Sequence, residues 1–223
     1  MTEAEWLACK DLQPMREFLR GKVSERKLRL LLCACCRSLW DQLIQEWSRT
    51  AVEVVEWHID GGATDTLLWA ATRGAREAWE RVVDEQPSCA GYAAAAYAAT
   101  LPIERGGDAP PLPADQDSHM AWDRMPVQNR VIGAALLREI VGNPFRPVFL
   151  DSTWPGSPVV ALARAAYTER GLPSGHLEPD RLAVLSDALE EAGCDNADLL
   201  AHLRGPGPHV RGCWVVDLLL GKQ

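Results

Sequence analysis

The chain has 223 residues, 47% apolar and 24% charged, enough for one large or two small globular domains with a buried core. Its formal net charge of −8 argues against a general nucleic-acid binder, because such proteins carry a basic footprint. No stretch reaches the roughly 20 apolar residues of a membrane span, and Met1–Trp6 does not resemble a signal peptide.

Seven cysteines are present, and three of them lie within Cys33–Cys36. An odd number with this crowding is not the spaced framework of a secreted disulfide protein. We therefore predict a cytoplasmic protein with reduced thiols.

Short capped helices are predicted at the start of the chain. Thr2 and Glu5 have the spacing of a capping box, and Asp11 is placed to cap a second helix. That helix is expected to run to Arg20 and to stop at Gly21.

The segment Arg26–Ile44, here called the hub helix, has the strongest apolar pattern and follows a capping serine, Ser24. Its apolar residues recur at helical steps, and no polar residue occurs between Leu30 and Cys36. A helix that is apolar all round must be covered by other helices. We expect it to be the buried centre of a helical bundle.

Three further helices are predicted before residue 101, beginning near Ser48, Asp65 and Ala90. The last of these, Ala90–Thr100, is rich in alanine, which favours helix and permits close contact between helices. The chain also has nine tryptophans. We interpret the six on predicted helices as core residues: Trp40, Trp47, Trp57, Trp69, Trp79 and Trp214.

A break follows at Leu101–Trp122, where glycine pairs and prolines occur without periodicity, as is typical of a linker. We therefore predict an all-α protein with a helical bundle at 1–100, a Pro/Gly-rich linker at 101–122 and a docked helical half at 123–223. The helices expected in that half are Val127–Val141, Pro158–Arg170, Pro179–Ala192, Asp195–Arg204 and Val210–Leu220, the last packing against the hub helix.

Cys33 and Cys36 lie three residues apart, so a helix places them on one face. This spacing suits a metal pair or a redox-active dithiol. A zinc site needs two more ligands, which the fold would have to bring from elsewhere. The alternative, which we favour, is that thiols surrounded by leucines fill the core. The candidates for the added ligands are Cys9, Cys89, His202, His209 and Cys213.

A second candidate site is the glycine- and proline-rich loop that leads into the last helix. Arg204, His209 and Arg211 surround backbone N–H groups that glycines leave accessible, so the loop could bind an anion. Cys213, beside arginines at a helix start, is expected to have a lowered pKa. The alternative is a rigid turn whose arginines pair with the acidic segment Glu178–Asp198, and we favour it.

Acidic side chains offer a third kind of chemistry. Asp187, Glu190, Glu191 and Asp195 could do acid–base or metal work, but a solvated helix face explains them as well. Asp217 interrupts an apolar helix and needs a partner. The expected partner is Arg204 or Arg211.

Catalytic motifs are missing from the sequence. It contains no nucleophile elbow, phosphate-binding loop, dinucleotide fingerprint or H-E-x-x-H, and only five histidines. These absences favour a non-enzymatic protein over an enzyme.

Two segments carry a family resemblance. Ala135–Pro144, which closes a helix with Asn-Pro, and Asp180–Gly193, an Arg-Leu helix ending in Glu-Glu and Gly, resemble the bacterial repeat-companion domain. The chain departs from that domain by inserting Phe145–Pro179 and by Ser-Asp-Ala in place of Ala-Asp-Trp. Both ends of the chain are similar to a paralogue-rich family of planctomycete-type bacterial proteins. This resemblance implies an intracellular bacterial protein with a partner-binding role.

Three functions follow as hypotheses. The favoured one is a scaffold that binds a protein partner through the basic stretch Arg16–Arg37, which has a local charge of +5, with no nucleic acid and no membrane. The second is a metal- or thiol-dependent protein that uses Cys33, Cys36, His209 and Cys213, with zinc as the cofactor. The third is a binder of small anions or nucleotides at Arg204, His209 and Arg211.

Overall fold

The architecture comes from a computed structural model that describes residues 1–85, 90–100, 127–151 and 153–222, with backbone alone at 90–92, 94 and 127–131. Over these residues the chain forms eleven α-helices and no strand, which confirms the all-α prediction. The segment predicted as a linker, 101–122, lies outside the described residues. The helices are α1 (Glu3–Ala8), α2 (Leu12–Leu19), α3 (Glu25–Arg37), α4 (Glu46–Ile59), α5 (Asp65–Glu85), α6 (Ala90–Thr100), α7 (Val127–Val141), α8 (Ser157–Thr168), α9 (Pro179–Glu191), α10 (Ala197–Leu203) and α11 (Trp214–Leu219).

Two compact units divide the chain. Unit 1 consists of Met1–Leu19 with Ala134–Gln223, and unit 2 consists of Arg20–Gly133. The first 19 residues thus belong with the C-terminal helices, whereas the sequence placed them in an N-terminal bundle. None of the described helices has both the length and the hydropathy that crossing a membrane requires.

Unit 2 is organised around the hub helix. Ser24 caps α3 by accepting a hydrogen bond from the N–H of Lys27, as predicted. Leu30 to Cys36 are all buried, which confirms that other residues cover this helix. The helix ends at Arg37 and not at Ile44. Ser38 is its C-cap, and the Ser38 hydroxyl donates to the carbonyl of Cys35 at 2.7 Å.

The alanine-rich helix α6 packs against α3, α4 and α5. Its described side chains are all buried, and most of them are alanines. Small side chains let three neighbouring helices approach one helix closely, which agrees with the close contact predicted from the alanines.

The prediction that the helical tryptophans fill the core is wrong for three of them. Trp47, Trp57 and Trp69 are 53%, 55% and 63% exposed. Trp47 instead covers Gly74, where an added Cβ would lie 2.5 Å from the indole. The buried residues of α4 and α5 are mostly alanine and valine, and of the tryptophans on these helices it is Trp79 that packs against their core.

Unit 1 has its core between α8, α9, α10 and α11. The last helix packs against α8 and α10, whereas the sequence assigned it to the hub helix, which belongs to the other unit. The N-terminal helices join this unit through α7, because the Arg138 guanidinium donates to the carbonyl of Trp6 at 3.0 and 3.1 Å. Asn143 donates to Glu3 at 2.7 Å nearby.

Candidate metal centre

Four potential metal ligands converge in unit 1: Glu139, His202, His209 and Cys213, whose ligand atoms all lie within 4.8 Å of one another. We call this set the EHHC cluster. Each ligand comes from a different place in the fold. Glu139 lies on α7, His202 in the last turn of α10, His209 in the following loop, and Cys213 immediately before α11.

The distances within the EHHC cluster suit a tetrahedral ion. Oε2 of Glu139 lies 3.1 Å from Nε2 of His202 and 3.2 Å from Nδ1 of His209. Nε2 of His202 lies 3.3 Å from the sulfur of Cys213. Zinc bonds of about 2.0 to 2.3 Å place tetrahedral ligand atoms roughly 3.3 to 3.8 Å apart. The three distances given lie at or just below that spacing. The remaining pairs lie within 4.8 Å, so ligand atoms would have to close by up to about 1 Å around an ion.

The cluster is closed to solvent on most sides. The side chains of Glu139 and His209 are 4% and 3% exposed, and Cys213 is 0% exposed. His202 is the most accessible member, at 20%, and its ring lies against Trp214 with the centroids 5.1 Å apart. A buried set of polar side chains is costly unless its members are paired or bind an ion.

Contacts outside the cluster orient two of the ligands. Nε2 of His209 lies 3.0 Å from the carbonyl of Gly205, and this contact requires a proton on Nε2. Nδ1 faces Glu139 and donates its proton to that carboxylate when no metal is bound. A metal ion that takes the place of this proton would be bound through the Nδ1 lone pair. The N–H of Val210 donates to Oε1 of Glu139 at 3.3 Å, which leaves Oε2 for the cluster. Metal-binding side chains are held by such outer contacts in known sites.

The loop between α10 and His209 depends on glycine. Gly207 has a φ of +81°, and a Cβ there would lie 2.7 Å from the backbone nitrogen of His209. The N–H of Leu177 donates to the carbonyl of His209 at 2.9 Å and holds the far side of this turn. The glycine- and proline-rich loop therefore serves as the turn that places His209.

The charges within the cluster support each other. Burial raises the pKa of the Glu139 carboxyl, but hydrogen bonds from His202 and His209 outweigh it, so the pKa lies below its ordinary value. Burial lowers the pKa of His209, yet the hydrogen bond and charge of Glu139 raise it above its ordinary value. A cation at this position, either a protonated imidazole or a metal ion, is what the buried carboxylate requires.

The predicted lowering of the pKa of Cys213 is wrong. Burial and the nearby charge of Glu139 raise the pKa of this thiol well above its ordinary value. Arg204, one of the arginines expected to activate the thiol, pairs with Asp187 and Glu190 instead. Cys213 is thus an unreactive thiol unless a cation replaces its proton.

Two of the three residues of the predicted anion site have carboxylate neighbours. Arg204 donates to Asp187 at 2.8 Å and also pairs with Glu190, so the predicted pairing with the acidic segment is confirmed. His209 faces Glu139. The charges of Arg204 and His209 are therefore balanced within the fold, which leaves little attraction for an anion at these two residues. The third residue, Arg211, is partly buried.

Asp217 has a hydrogen-bond partner that was not among the predicted arginines. Its carboxylate is buried and accepts a hydrogen bond of 2.7 Å from the hydroxyl of Tyr167. Arg204, one of the two arginines proposed for it, bonds to Asp187 and Glu190.

Cys33 and Cys36 lie in unit 2, apart from the unit that holds His209 and Cys213. Among the described residues, neither belongs to a group of three or more potential metal ligands. Both sulfurs are buried, and that of Cys33 lies 3.9 Å from the carbonyl of Val52. The core-filling interpretation of these thiols agrees with their surroundings.

Of the predicted zinc ligands, the fold brings together His209 and Cys213, and it adds His202, which the sequence offered as one of several candidates. It also adds Glu139, which sequence reasoning missed. A signal was present, because Glu139 interrupts the apolar face formed by Leu136, Leu137 and Ile140, all buried. An acid among inner apolar positions marks a group that needs a partner.

Comparison of the chain with protein-family models, with curated proteins and with solved structures finds no match. The resemblance to the repeat-companion domain and to planctomycete-type proteins therefore stays a prediction. Function has to be inferred from the geometry and chemistry of the EHHC cluster.

Proposed function

We propose that the protein binds one zinc ion at the EHHC cluster and that this ion holds unit 1 in its folded form. The observation that carries the proposal is the convergence of a thiol, two imidazoles and a carboxylate within 4.8 Å at a largely buried place. Four protein ligands would complete a tetrahedral zinc site, which is the arrangement of structural sites and not of catalytic ones.

The donor set also selects among metals. Thiolate and imidazole suit zinc and cobalt, whereas magnesium and calcium require oxygen ligands that are absent from three of the four positions. Because the four ligands come from separate segments, the binding free energy of the ion contributes to folding. The ion would then link His209, which follows the Gly207 turn, to Glu139 on α7.

Metal analysis tests this proposal directly. Protein freed of metal by chelation and then exchanged into zinc is expected to retain about one zinc per chain, measured by mass spectrometry of the element and by titration calorimetry. Cys213→Ser is expected to lose the stoichiometric zinc. Cys36→Ser is the matched control, because it changes an equally buried thiol outside the cluster. Magnesium and calcium should give no binding heat.

Two results would contradict the proposal. One is wild-type protein that retains no zinc although it is folded by circular dichroism. The other is a Cys213→Ser variant that binds zinc as tightly as Cys36→Ser.

A second function, binding of a protein partner, is favoured by the three exposed tryptophans of unit 2. Trp47, Trp57 and Trp69 lie on α4 and α5 with more than half of each side chain exposed. Tryptophan is among the residues most enriched at the energetic centres of protein interfaces. We therefore propose that a partner binds unit 2 through these indoles.

The basic stretch Arg16–Arg37 is a weaker candidate for that surface. Arg37 is buried and pairs with Glu56 at 2.7 Å, and Arg29 is also buried. Arg26 lies 3.5 Å from Asp60. Several arginines of this stretch are therefore buried or paired with acidic residues of the same chain, and their charge is not free to attract a partner.

Affinity capture tests whether the exposed tryptophans of unit 2 bind a partner. A Trp57→Ser/Trp69→Ser variant is expected to lose partners that the wild type retains from an extract of the source organism. Leu172→Ser, which changes an exposed apolar residue of unit 1, is the control and should retain them. Equal capture by both variants would contradict the tryptophan surface.

A further inference from the structure

A buried hydroxyl–carboxylate pair lies next to the segment that carries Cys213. Tyr167 on α8 and Asp217 on α11 are 5% and 1% exposed. The Tyr167 hydroxyl lies 2.7 Å from Oδ1 of Asp217. An ionised carboxylate in such an apolar helix is costly unless it is hydrogen-bonded, so the pair needs a reason to be there.

The hydroxyl of Tyr167 also contacts the backbone on both sides of the Gly212–Cys213 peptide. The N–H of Gly212 donates to it at 3.2 Å, and the carbonyl oxygen of Cys213 lies 3.4 Å away. Gly212 has a φ of +98°, a conformation that costs little only for glycine. One side chain on α8 therefore fixes the peptide from which the Cys213 thiol projects.

The direction of the hydrogen bond is clear from the surroundings. Burial and the charge of Asp217 raise the pKa of Tyr167 well above its ordinary value, so the hydroxyl keeps its proton. It therefore donates to the carboxylate and accepts from the Gly212 N–H. Asp217 in turn fixes the orientation of the hydroxyl.

We propose that Tyr167 and Asp217 are positioning residues that hold the Cys213 sulfur in place for a thiophilic ion at the EHHC cluster. This inference rests on the proposed zinc function. A phenylalanine at position 167 would fill nearly the same volume but would leave the Gly212 N–H and Asp217 without this partner. The sulfur would then lose its fixed position while the core stays packed.

Cobalt is the probe that reports on the sulfur. Bound to a thiolate, Co²⁺ gives a near-ultraviolet charge-transfer band, while its visible bands report coordination geometry. Tyr167→Phe is expected to weaken zinc binding about 10- to 100-fold, the usual effect of removing an outer partner of a ligand. At saturating cobalt it should also reduce the charge-transfer band relative to the visible bands.

Tyr97→Phe is the matched control, because it removes the hydroxyl of another buried tyrosine, in unit 2. It should leave zinc affinity and the cobalt spectrum unchanged. Each variant is first checked for folding by circular dichroism at saturating zinc, because the ion is proposed to contribute to the folding of unit 1. If Tyr167→Phe does not fold, Asp217→Leu replaces it, since leucine suits the apolar helix and still removes the acceptor that orients the hydroxyl; the same losses are expected.

The outcomes separate the two proposals. Wild-type protein without a thiolate–cobalt band would overturn the proposed zinc function itself. A wild-type band that persists at full strength in the folded variant, with unchanged zinc affinity, would leave that function standing and overturn the positioning role.

Discussion

Buried thiols occur in both units, but their surroundings differ. In unit 2, Cys33, Cys35 and Cys36 lie in the apolar hub helix, and burial raises the pKa of Cys35 to about 12. In unit 1, Cys213 is just as buried, yet an imidazole nitrogen lies 3.3 Å from its sulfur and a carboxylate lies close by. The three cysteines that are close in sequence fill the core of unit 2. Cys213, which has no cysteine near it in sequence, belongs to the candidate site because side chains from distant segments lie beside it.

The buried carboxylates of the two units show the same contrast. Glu56 accepts two hydrogen bonds, of 2.7 and 2.8 Å, from the guanidinium of Arg37. A guanidinium has no lone pair to offer, so this pair can only be an ion pair. Glu139 instead faces two imidazoles, each of which can donate a lone pair to a metal. The partner of the acid decides whether a metal can be bound.

The largest expected effect is in unit 2. Arg37→Met leaves the buried carboxylate of Glu56 without the guanidinium that donates two hydrogen bonds to it, which should lower the free energy of unfolding by about 3 to 5 kcal/mol. Urea unfolding measures the loss, and zinc should not recover it. The double variant Arg37→Met/Glu56→Met is the control and is expected to recover most of the stability. Equal stability of the single and double variants would show that the carboxylate left behind is not the cause of the loss.

The next effect tests unit 1. Zinc at about 100 times its Kd should raise the free energy of unfolding by about 2.7 kcal/mol. Thermal unfolding should show this shift in the wild type and in Cys36→Ser but not in Cys213→Ser. The same zinc-dependent shift in all three proteins would remove the distinction between the two groups of thiols.

The rates at which the cysteines are alkylated offer a second comparison of the buried thiols in the two units. Of the described cysteines, Cys9 is the one that is not fully buried, so it should react first with an alkylating reagent. Cys35, Cys36 and Cys213 should react only through opening of the fold. Zinc at about 100 times its Kd should slow labelling of Cys213 about 100-fold and leave Cys36 unaffected. Mass spectrometry of the peptides measures each rate, and equal protection of Cys36 and Cys213 would contradict the site.

The smallest expected effect is a change in the pKa of Glu190, an exposed residue of unit 1. The hydrogen bond from Arg204 lowers the pKa of Glu190 below its ordinary value. A lowered pKa means that this contact stabilises the fold above the ordinary glutamate pKa and is lost as the pH falls through the lowered one. NMR titration of the carboxyl should show the shift in the wild type and its loss in Arg204→Gln, without loss of zinc binding. An unchanged pKa in the variant would mean that another group causes it.

Much of the local structure could be predicted because its causes are local. The capping box of Thr2 and Glu5, the Ser24 cap and the stop at Gly21, whose φ is +71°, all depend on neighbours a few residues away. The burial of the hub helix followed from a run without polar residues. Its end at Arg37 did not, because the apolar pattern continues beyond the residue at which the helix ends.

The tryptophans show where composition misleads. Size and apolarity favoured a core position for Trp47, Trp57 and Trp69, but alanine and valine occupy the inner faces of their helices. Which of two apolar side chains faces inward depends on the space between packed helices. The space between two packed helices cannot be predicted from the sequence of either helix alone.

The candidate site was predictable only in part. His209 and Cys213 were found because the loop joins histidine, arginine and cysteine near a helix start, but they were grouped with the wrong thiols. Glu139 precedes His209 by 70 residues, and no local pattern connects them. The Leu177 contact and the Gly207 turn that bring His209 to α7 arise from the packing of unit 1.

The sequence by itself determined the all-α class, most helix ends and the burial of the hub helix, because hydrogen bonding and apolar periodicity act over a few residues. Only the tertiary structure decided which buried thiol has ligands around it, which acid needs a cation and which indoles face solvent. Those choices depend on side chains that meet across distant segments, where the free energy of burying a polar group is balanced by the partners that packing provides.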